Sequence, residues 1–306
     1  NKEIKYCNIK CEVCTSENFE VLFNEDRYGI KQRTVFCKKC GFVYSNPRME
    51  KNSLNIFYNS DLYRLLYTEN AKDKNDLYNF AREKLADHNP PKVSQINLKK
   101  YNKNLYFNFI CNNIKDFETV LDIGCGIGTK LIDFGSINKK VYGIEPSREF
   151  NKAHLDHGLK SKVGFIEDIK NEKYDLVILS HVFEHLTNLK STIKQISDIT
   201  NKYLFIEVPG HLKKMQSIQN AHNYYFSINT LNYFVLNSHF KLIKIDYAKD
   251  NEFIFALYEK VPSLSYYEYN FEKELKSIKK IYNNYKIKFL LIMFLNLLGI
   301  KSLVLK

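Results

Sequence analysis

Short, unbroken apolar runs recur through the middle of the chain: VLDI at 120–123, VYGIE at 141–145, VGFI at 163–166, DLVILS at 175–180 and YLFIEVP at 203–209. Strands buried on both faces of a parallel sheet have this continuous pattern, and the lengths between the runs suit β–α crossovers. KLIKIDYA (241–248) and EFIFALYEK (252–260) follow, joined only by Lys249, Asp250 and Asn251. That link is too short for a crossover helix, so the last pair is expected to form an antiparallel hairpin. The expected fold class is therefore α/β, a doubly wound, mixed seven-stranded sheet.

The flanks have a different period. Residues 54–110 read mostly as helix, with LNIFYNSDLYRLLY, then DLYNFAREKL, and after Pro90-Pro91 a third segment, INLKKYNKNLYFNFICNNI. The first 50 residues are rich in turn formers. Near the end, FEKELKSIKKIYNNY (271–285) sets Leu275, Ile278, Ile281, Tyr282 and Tyr285 at the spacing of an amphipathic helix. The run FLLIMFL that follows is broken at Asn296, short of the roughly 20 apolar residues a bilayer span requires. A helix packed on the body or on a second subunit is expected there. Lys286, Lys288 and Lys301 leave attachment to a membrane surface as the alternative. The chain thus divides into 1–50, a helical link or substrate cap at 51–112, a core at 113–262 and a helical extension at 263–306.

Composition narrows this picture only a little. Hydrophobic residues make up 44% of the chain, enough for a packed core, and 46 Lys plus Arg against 34 Asp plus Glu leave a net charge of +12. The positive residues are spread along the chain and form no compact block interleaved with aromatics. A solvated basic surface comes first, an anionic small-molecule partner second and nucleic acid third. No apolar leader opens the sequence, and the seven cysteines are not an even set spread through a short domain. A reducing cytoplasm is the expected compartment.

Four of those cysteines carry chemistry. Cys11-x-x-Cys14 and Cys37-x-x-Cys40 are two tight pairs separated by 22 residues, a spacing that lets a loop bring four sulfurs to one tetrahedral ion. CKKCG, with Gly41 straight after the last sulfur, has the turn chemistry of a zinc knuckle. A closed four-sulfur shell leaves no position for water or substrate, so Zn2+ is expected in a structural role. Cys7 lacks a partner at ligand spacing, and Cys111 and Cys125 read as ordinary thiols.

A second constellation follows the first core strand. LDIGCGIG (121–128) runs an apolar strand into Gly124, Gly126 and Gly128, where the backbone turns sharply and can approach a ligand closely. The helix expected after it would point free N–H groups at the same place. The spacing is G-x-G-x-G, whereas dinucleotide sites use G-x-G-x-x-G. Glu145 ends the second strand, 21 residues beyond Gly124, where a carboxylate can accept from both hydroxyls of a ribose. In FIEDI, Asp168 is placed to accept from an adenine amino group, or is simply an acid on a solvated turn.

LDIGCGIG, GIEPS around Glu145, FIED and SHVFEHL (180–186) together resemble the successive motifs of class I S-adenosylmethionine-dependent methyltransferases, in order and spacing over residues 120–260. The resemblance implies S-adenosylmethionine as cofactor. Gly124, Gly126 and Gly128 would wrap its methionine portion, and Asp122 would support that loop or the ammonium. Glu145 would hold the ribose, and Ile166, Glu167 and Asp168 would border adenine. Ser180 to Phe183 would pass beneath the sulfonium. CKKCGFVYSNP (37–47), the aromatic helical link and HNYYFS (222–227) extend the likeness over roughly 1–260, to the sugar C-methyltransferase group that carries an N-terminal zinc module.

Methyl transfer to an alcohol or a carbon acid requires a base near the carboxyl ends of the strands. His222, 13 residues beyond Pro209, is the first candidate, with Tyr225 to orient an acceptor and His181, after the fourth strand, as a secondary base. Glu184 and His185 are expected to secure the following helix. The sugar C-methyltransferases carry a Glu-His pair where this chain has Ala221-His222, which weakens the case for enolate formation and leans towards oxygen as the methylated atom. The resulting expectation is methylation of a nucleotide-linked sugar, or a related phosphorylated precursor of capsule or lipopolysaccharide. The enzyme would be cytoplasmic or peripheral at the inner face of the membrane. Methylation of RNA or protein is the enzymatic alternative, and a non-catalytic binding protein on the same fold is the other. A deep pocket roofed by residues 54–110 would favour a small acceptor; a continuous basic face across the cysteine module would favour nucleic acid.

Overall fold

The computed structural model describes residues 4–68, 71–89, 105–210, 218–248, 252–263 and 266–297. Its centre is a seven-stranded sheet in the order β12-β13-β10-β9-β6-β7-β8. The members are β6 (Thr119–Ile123), β7 (Lys140–Glu145), β8 (Ser161–Val163), β9 (Tyr174–Ser180), β10 (Thr200–Pro209), β12 (Phe240–Ala248) and β13 (Phe253–Lys260). The first five run parallel, while β13 lies between β10 and β12 and is antiparallel to both. The mixed, doubly wound sheet expected from the apolar runs is thus present, and the final pair is antiparallel although its connection at 249–251 lies outside the described residues. Helices α4 (Leu105–Asn113), α5 (Thr129–Gly135), α6 (Arg148–Asp156), α7 (Leu189–Ile199) and α8 (Ile228–Leu236) accompany the sheet. Of the third expected helical segment, residues 96–104 lie outside the described residues and α4 covers the rest.

The third strand departs from its expected place. VGFI was read as the strand, but β8 ends at Val163 and Ile166–Asp168 form a 3-10 turn. The reason is local: the Asp168 carboxylate accepts from the Phe165 N–H at 2.8 Å, closing a turn where an extended chain would leave that donor open.

The cysteine-bearing segment builds its own small sheet, and the core completes it. β2 (Phe19–Glu25), β3 (Lys31–Cys37) and β4 (Val43–Ser45) pair antiparallel. The fourth strand, β11 (Tyr224–Tyr225), comes from the HNYYFS segment and pairs with β4. A two-residue pair, β1 (Tyr6–Cys7) with β5 (Arg48–Met49), closes the segment. Glu12, between the first two cysteines, accepts from the Leu189 N–H at the start of α7 and pairs with buried Arg48 at 3.1 Å. The module and the core therefore share one packed interior, in which Cys11, Cys37, Cys40 and Phe42 join Val177, Leu179 and Phe226.

Three helices, α1 (Lys51–Asn59), α2 (Leu62–Tyr67) and α3 (Lys74–Ala86), bridge module and core. Asp73 caps α3 by accepting from the N–H groups of Asn75 and Asp76. Leu77, Ala81 and Leu85, at helical spacing, pack against Phe150 and Ala153 of α6. This contact sets the cap over the carboxyl ends of the strands. At the other end of the chain, α9 (Phe271–Leu297) continues through the amphipathic segment and the FLLIMFL run. Leu275, Ile278, Ile281 and Tyr282 pack on Phe36, Val43 and Tyr225 of the small sheet. Among the described residues no helix is long and apolar enough to cross a membrane.

Candidate functional site

Strand order reverses between β6 and β9, the position where open α/β sheets bind ligands outside the carboxyl ends of their strands. A cavity of about 690 Å³ opens there. Its floor is the loop after β6, the end of β7 and the segment after β9. Its roof is α1 and α2, through Leu54, Tyr58, Tyr63, Arg64 and Tyr67. Lys51, Lys84 and Lys130 add positive charge to the wall.

The glycine loop has the expected backbone: Gly124, Gly126 and Gly128 all have positive φ, at 65°, 55° and 86°. At Gly124 a Cβ would stand 2.5 Å from a Val182 methyl, so the close approach of the two loops requires glycine. Gly124, Gly126, Ile166, Glu167 and Ser180 line the cavity, whereas Gly128 does not. Gly128 instead gives room to His154, whose ring would lie 2.8 Å from a Cβ there. His154 Nε2 donates to the Gly126 carbonyl at 3.0 Å, so this buried imidazole braces the loop from behind. Burial holds His154 below the ordinary imidazole range.

Glu145 is 1% exposed. Its carboxylate accepts from the Gly126 N–H at 2.9 Å, the Ser147 N–H at 3.1 Å and Arg64 Nη2 at 3.0 and 3.1 Å. Asp122, on the strand that leads into the glycine loop, is also buried, with Oδ2 lacking a hydrogen-bond partner. Burial pushes Asp122 up to about 7, against the opposing pull of Lys130. Asp168 caps the turn described above and is not part of the cavity wall, while its neighbour Glu167 lines the cavity and pairs with Lys51 at 2.9 Å.

Of the three catalytic candidates, His181 alone lines the cavity; His222 and Tyr225 are buried behind it. His181 adopts a left-handed backbone, φ 55°, which turns its ring between two carboxylates. Nδ1 lies 3.5 Å from Glu184 Oε1, and Nε2 lies 3.4 Å from Glu207 Oε1. Burial opposes the imidazolium, but the two facing carboxylates outweigh it and raise His181 to about 9. Glu207 accepts from the Ser180 hydroxyl at 2.5 Å. Burial works against its charge too, yet His181 and Lys130 bring it down to about 2. Tyr225 belongs to β11, among the side chains on which α9 packs. His222 packs its ring between His185, at 4.8 Å, and Tyr225, at 5.9 Å.

Arg64, His154 and Glu207 were not singled out by sequence reasoning. For Glu207 a signal existed: an acid at the carboxyl end of an otherwise apolar buried strand, as at Glu145. Arg64 and His154 act across 81 and 28 residues, and nothing in their own segments marks them.

In the cysteine module, Cys11 Sγ and Cys40 Sγ lie 3.5 Å apart, and Cys14 Sγ and Cys37 Sγ 3.4 Å. All four sulfurs fall within 4.8 Å of one another and none forms a disulfide. Zn–S bonds of ≈ 2.3 Å place sulfurs roughly 3.8 Å apart around one tetrahedral ion, so the four-thiol set fits zinc.

A family model described as a methyltransferase domain matches residues 82–245. A curated relative from Anoxybacillus flavithermus, described as an uncharacterized methyltransferase, is 36% identical over 78 residues, which cover 24% of this chain and 37% of the relative. The alignment thus spans little more than a third of that relative's length. Among solved structures, the 1,6-didemethyltoxoflavin-N1-methyltransferase of Burkholderia thailandensis is similar, with TM-score 0.50, 11% identity and coverage of 72% of this chain and 96% of that one. The magnesium protoporphyrin IX methyltransferase of Synechocystis PCC 6803 has TM-score 0.45 and 12% identity, covering 66% of this chain and 97% of that one. At 11% identity the likeness to the Burkholderia enzyme is one of fold alone.

Proposed function

The chain belongs to the methyltransferase-domain family, and on that premise we propose that it transfers a methyl group from S-adenosylmethionine to a nucleotide-linked sugar or a related small phosphorylated precursor of surface polysaccharide. The observation that carries this reading is the roofed cavity at the strand-order reversal, lined both by buried Glu145 beside the glycine loop and by His181. A roof formed by α1 and α2 favours a small acceptor over RNA or protein, because a polymer needs an open approach. Lys51, Lys84, Lys130 and Arg64 on the wall suit an acceptor that carries phosphate.

Glu145 would hold the donor's ribose, the loop from Gly124 to Gly128 its methionine portion, and Ile166 and Glu167 the edge of adenine. Asp122, buried with an unpartnered oxygen, fits an ammonium above the loop. When bound, S-adenosylmethionine supplies an electrophilic methyl group on a positively charged sulfur. The protein's part is to align the acceptor oxygen or carbon with that methyl and to keep water out. His181, between two carboxylates, is the group that meets the acceptor. His222 and Tyr225 act from behind, His222 through Glu184, whose Oε1 lies 3.9 Å from its Nε2. That carboxylate stands where Ala221 fails to provide one, so the argument from Ala221 for oxygen over carbon loses its force. The four cysteines would hold a structural Zn2+, and a phosphorylated intracellular precursor places the work in the cytoplasm.

The test is binding of S-adenosylmethionine to zinc-loaded protein, followed by mass spectrometry of candidate nucleotide-sugars and sugar phosphates. Gain of one methyl group, lost in His181→Ala while donor binding persists, is the expected result. Donor binding with turnover only on RNA or protein would replace the small acceptor by a polymer. A protein that binds no donor would be a binding module on a methyltransferase fold.

A further inference from the structure

A cluster with no part in the proposed donor contacts lies partly on the cavity wall, through His181 and His185, and partly behind it, through Glu184 and His222. Glu184 is 1% exposed, and neither of its carboxylate oxygens has a hydrogen-bond partner. Three imidazoles converge on it: Oε1 is 3.5 Å from His181 Nδ1 and 3.9 Å from both His185 Nε2 and His222 Nε2. The backbone holds this arrangement. Asn223 donates its N–H to the Glu184 carbonyl at 2.8 Å, and its side-chain amide to the carbonyls of His185 and Leu186 at 2.8 and 3.1 Å. The turn carrying Glu184 and His185 is therefore clipped to the segment carrying His222.

The hydrogen bonding fixes which ring nitrogen faces inward. His185 Nδ1 lies 2.9 Å from the Ala221 carbonyl, and a carbonyl only accepts, so Nδ1 carries the proton. In the neutral ring Nε2 then turns a lone pair towards the Glu184 carboxylate, acceptor against acceptor in a buried space. Such an arrangement is unfavourable. The His181 ring, 3.5 Å from the same oxygen, offsets the carboxylate's charge but does nothing for the His185 lone pair, whereas a cation between the two groups would satisfy both. A histidine whose outer nitrogen donates to a backbone carbonyl is also the arrangement that orients metal-ligating imidazoles.

We propose that Glu184, His185 and His222 bind a divalent transition-metal ion, in a second metal site separate from the four cysteines. The three ligand atoms lie within 4.8 Å of one another. Bonds of ≈ 2.0–2.1 Å to zinc put neighbouring ligand atoms roughly 3.3 Å apart, a closure that side-chain rotation supplies. Two imidazoles and one carboxylate leave a coordination position open for an exogenous ligand. His185 also lines the cavity, so an acceptor oxygen is the class of ligand that position takes. His222 is then a metal ligand and not a proton acceptor. The inference goes beyond the methyl-transfer reading and holds whatever the acceptor proves to be.

The probe is zinc itself, with the full-length protein loaded, dialysed and counted by elemental analysis. Wild type should retain one more zinc per chain than Glu184→Gln and His185→Gln, and both variants should keep the cysteine-bound ion and donor binding. Equal zinc content in wild type and Glu184→Gln would overturn the site and leave a buried imidazolium–carboxylate pair in its place. Should the variants fail to fold, zinc-edge X-ray absorption of the wild type still decides. A first shell mixing sulfur with nitrogen and oxygen supports the second ion, and a shell of sulfur alone excludes it.

Discussion

At Glu145 two backbone N–H groups and Arg64 converge on a carboxylate that is 1% exposed. A ribose that replaces Arg64 there gains hydrogen bonds to a charged group, worth about 1.5–3 kcal/mol. Glu145→Gln should therefore weaken S-adenosylmethionine binding by roughly 10- to 100-fold, read by calorimetry, with melting temperature as the control for folding. Asp122 gives a pH signature. Its folded pKa of about 7 lies above the ordinary carboxyl value of 3.8, so the folded state holds the proton more tightly. Its contribution to stability is complete below the unfolded value and is lost as pH rises through about 7. Melting of the donor-free protein should accordingly fall between about pH 4 and 7, and Asp122→Asn should flatten that fall; an unchanged slope would remove Asp122 as its source. The place of Glu145 beside the glycine loop was legible because an acid closing an apolar strand has few structural uses. Asp168 looked equally suitable, but a carboxylate three residues after an open N–H caps its own turn more readily than it reaches a ligand. Glu184 looked like a helix anchor because His222, which faces it, arrives from a separate segment of the chain.

Helix α2 is the element that the donor must disturb. Its Arg64 lies over Phe150 at 4.9 Å and occupies both oxygens of Glu145, so ribose and guanidinium compete for one carboxylate. Arg64→Ala should tighten donor binding several-fold, and hydrogen exchange over 62–67 should change when donor is added to the wild type. Weaker binding in the variant would instead make Arg64 a donor contact. Helix α9 makes a different demand: a Cβ at Gly41, where φ is 79°, would lie 2.8 Å from the Leu275 backbone nitrogen. Gly41→Ala combines left-handed strain with overpacking and should cost about 2–5 kcal/mol, measurable by urea denaturation. At this scale the apolar runs were legible because parallel strands buried on both faces tolerate little else. The β8 shift was not, since VGFI is as apolar as a strand and only the Asp168 cap distinguishes it. Tyr225 reads from sequence as a phenol that orients an acceptor, yet Tyr224 and Tyr225 form a strand of the cysteine module's sheet; that pairing depends on β4, some 180 residues earlier.

That same pairing decides how the whole molecule responds to loss of metal. The sequence divides naturally into a cysteine module, a cap, a core and a tail, but the contacts cross each of those lines. Module strand β4 is paired with β11 from the core, Glu12 from between two cysteines holds the first turn of α7, and α9 packs on the far face of the small sheet. The Tyr269 hydroxyl, just ahead of α9, donates to the Cys40 carbonyl at 3.1 Å. Three of the four thiols are buried in this interior and would face one another without an ion between them, and a structural zinc held there would contribute directly to folding. Chelation should therefore loosen β11 and the start of α7 together with the module, and with them His185 on the cavity wall and His222 behind it. A single unfolding transition is expected, displaced downward by at least roughly 10 °C at 2–4 °C per kcal/mol for a domain of this size, with donor affinity falling in parallel. Two separate transitions in calorimetry, with the second keeping donor binding after chelation, would mean that the core folds independently of its cysteine module. Cys37→Ser should reproduce the effect of chelation, because it removes a ligand from the end of β3, the strand to which β4 is paired.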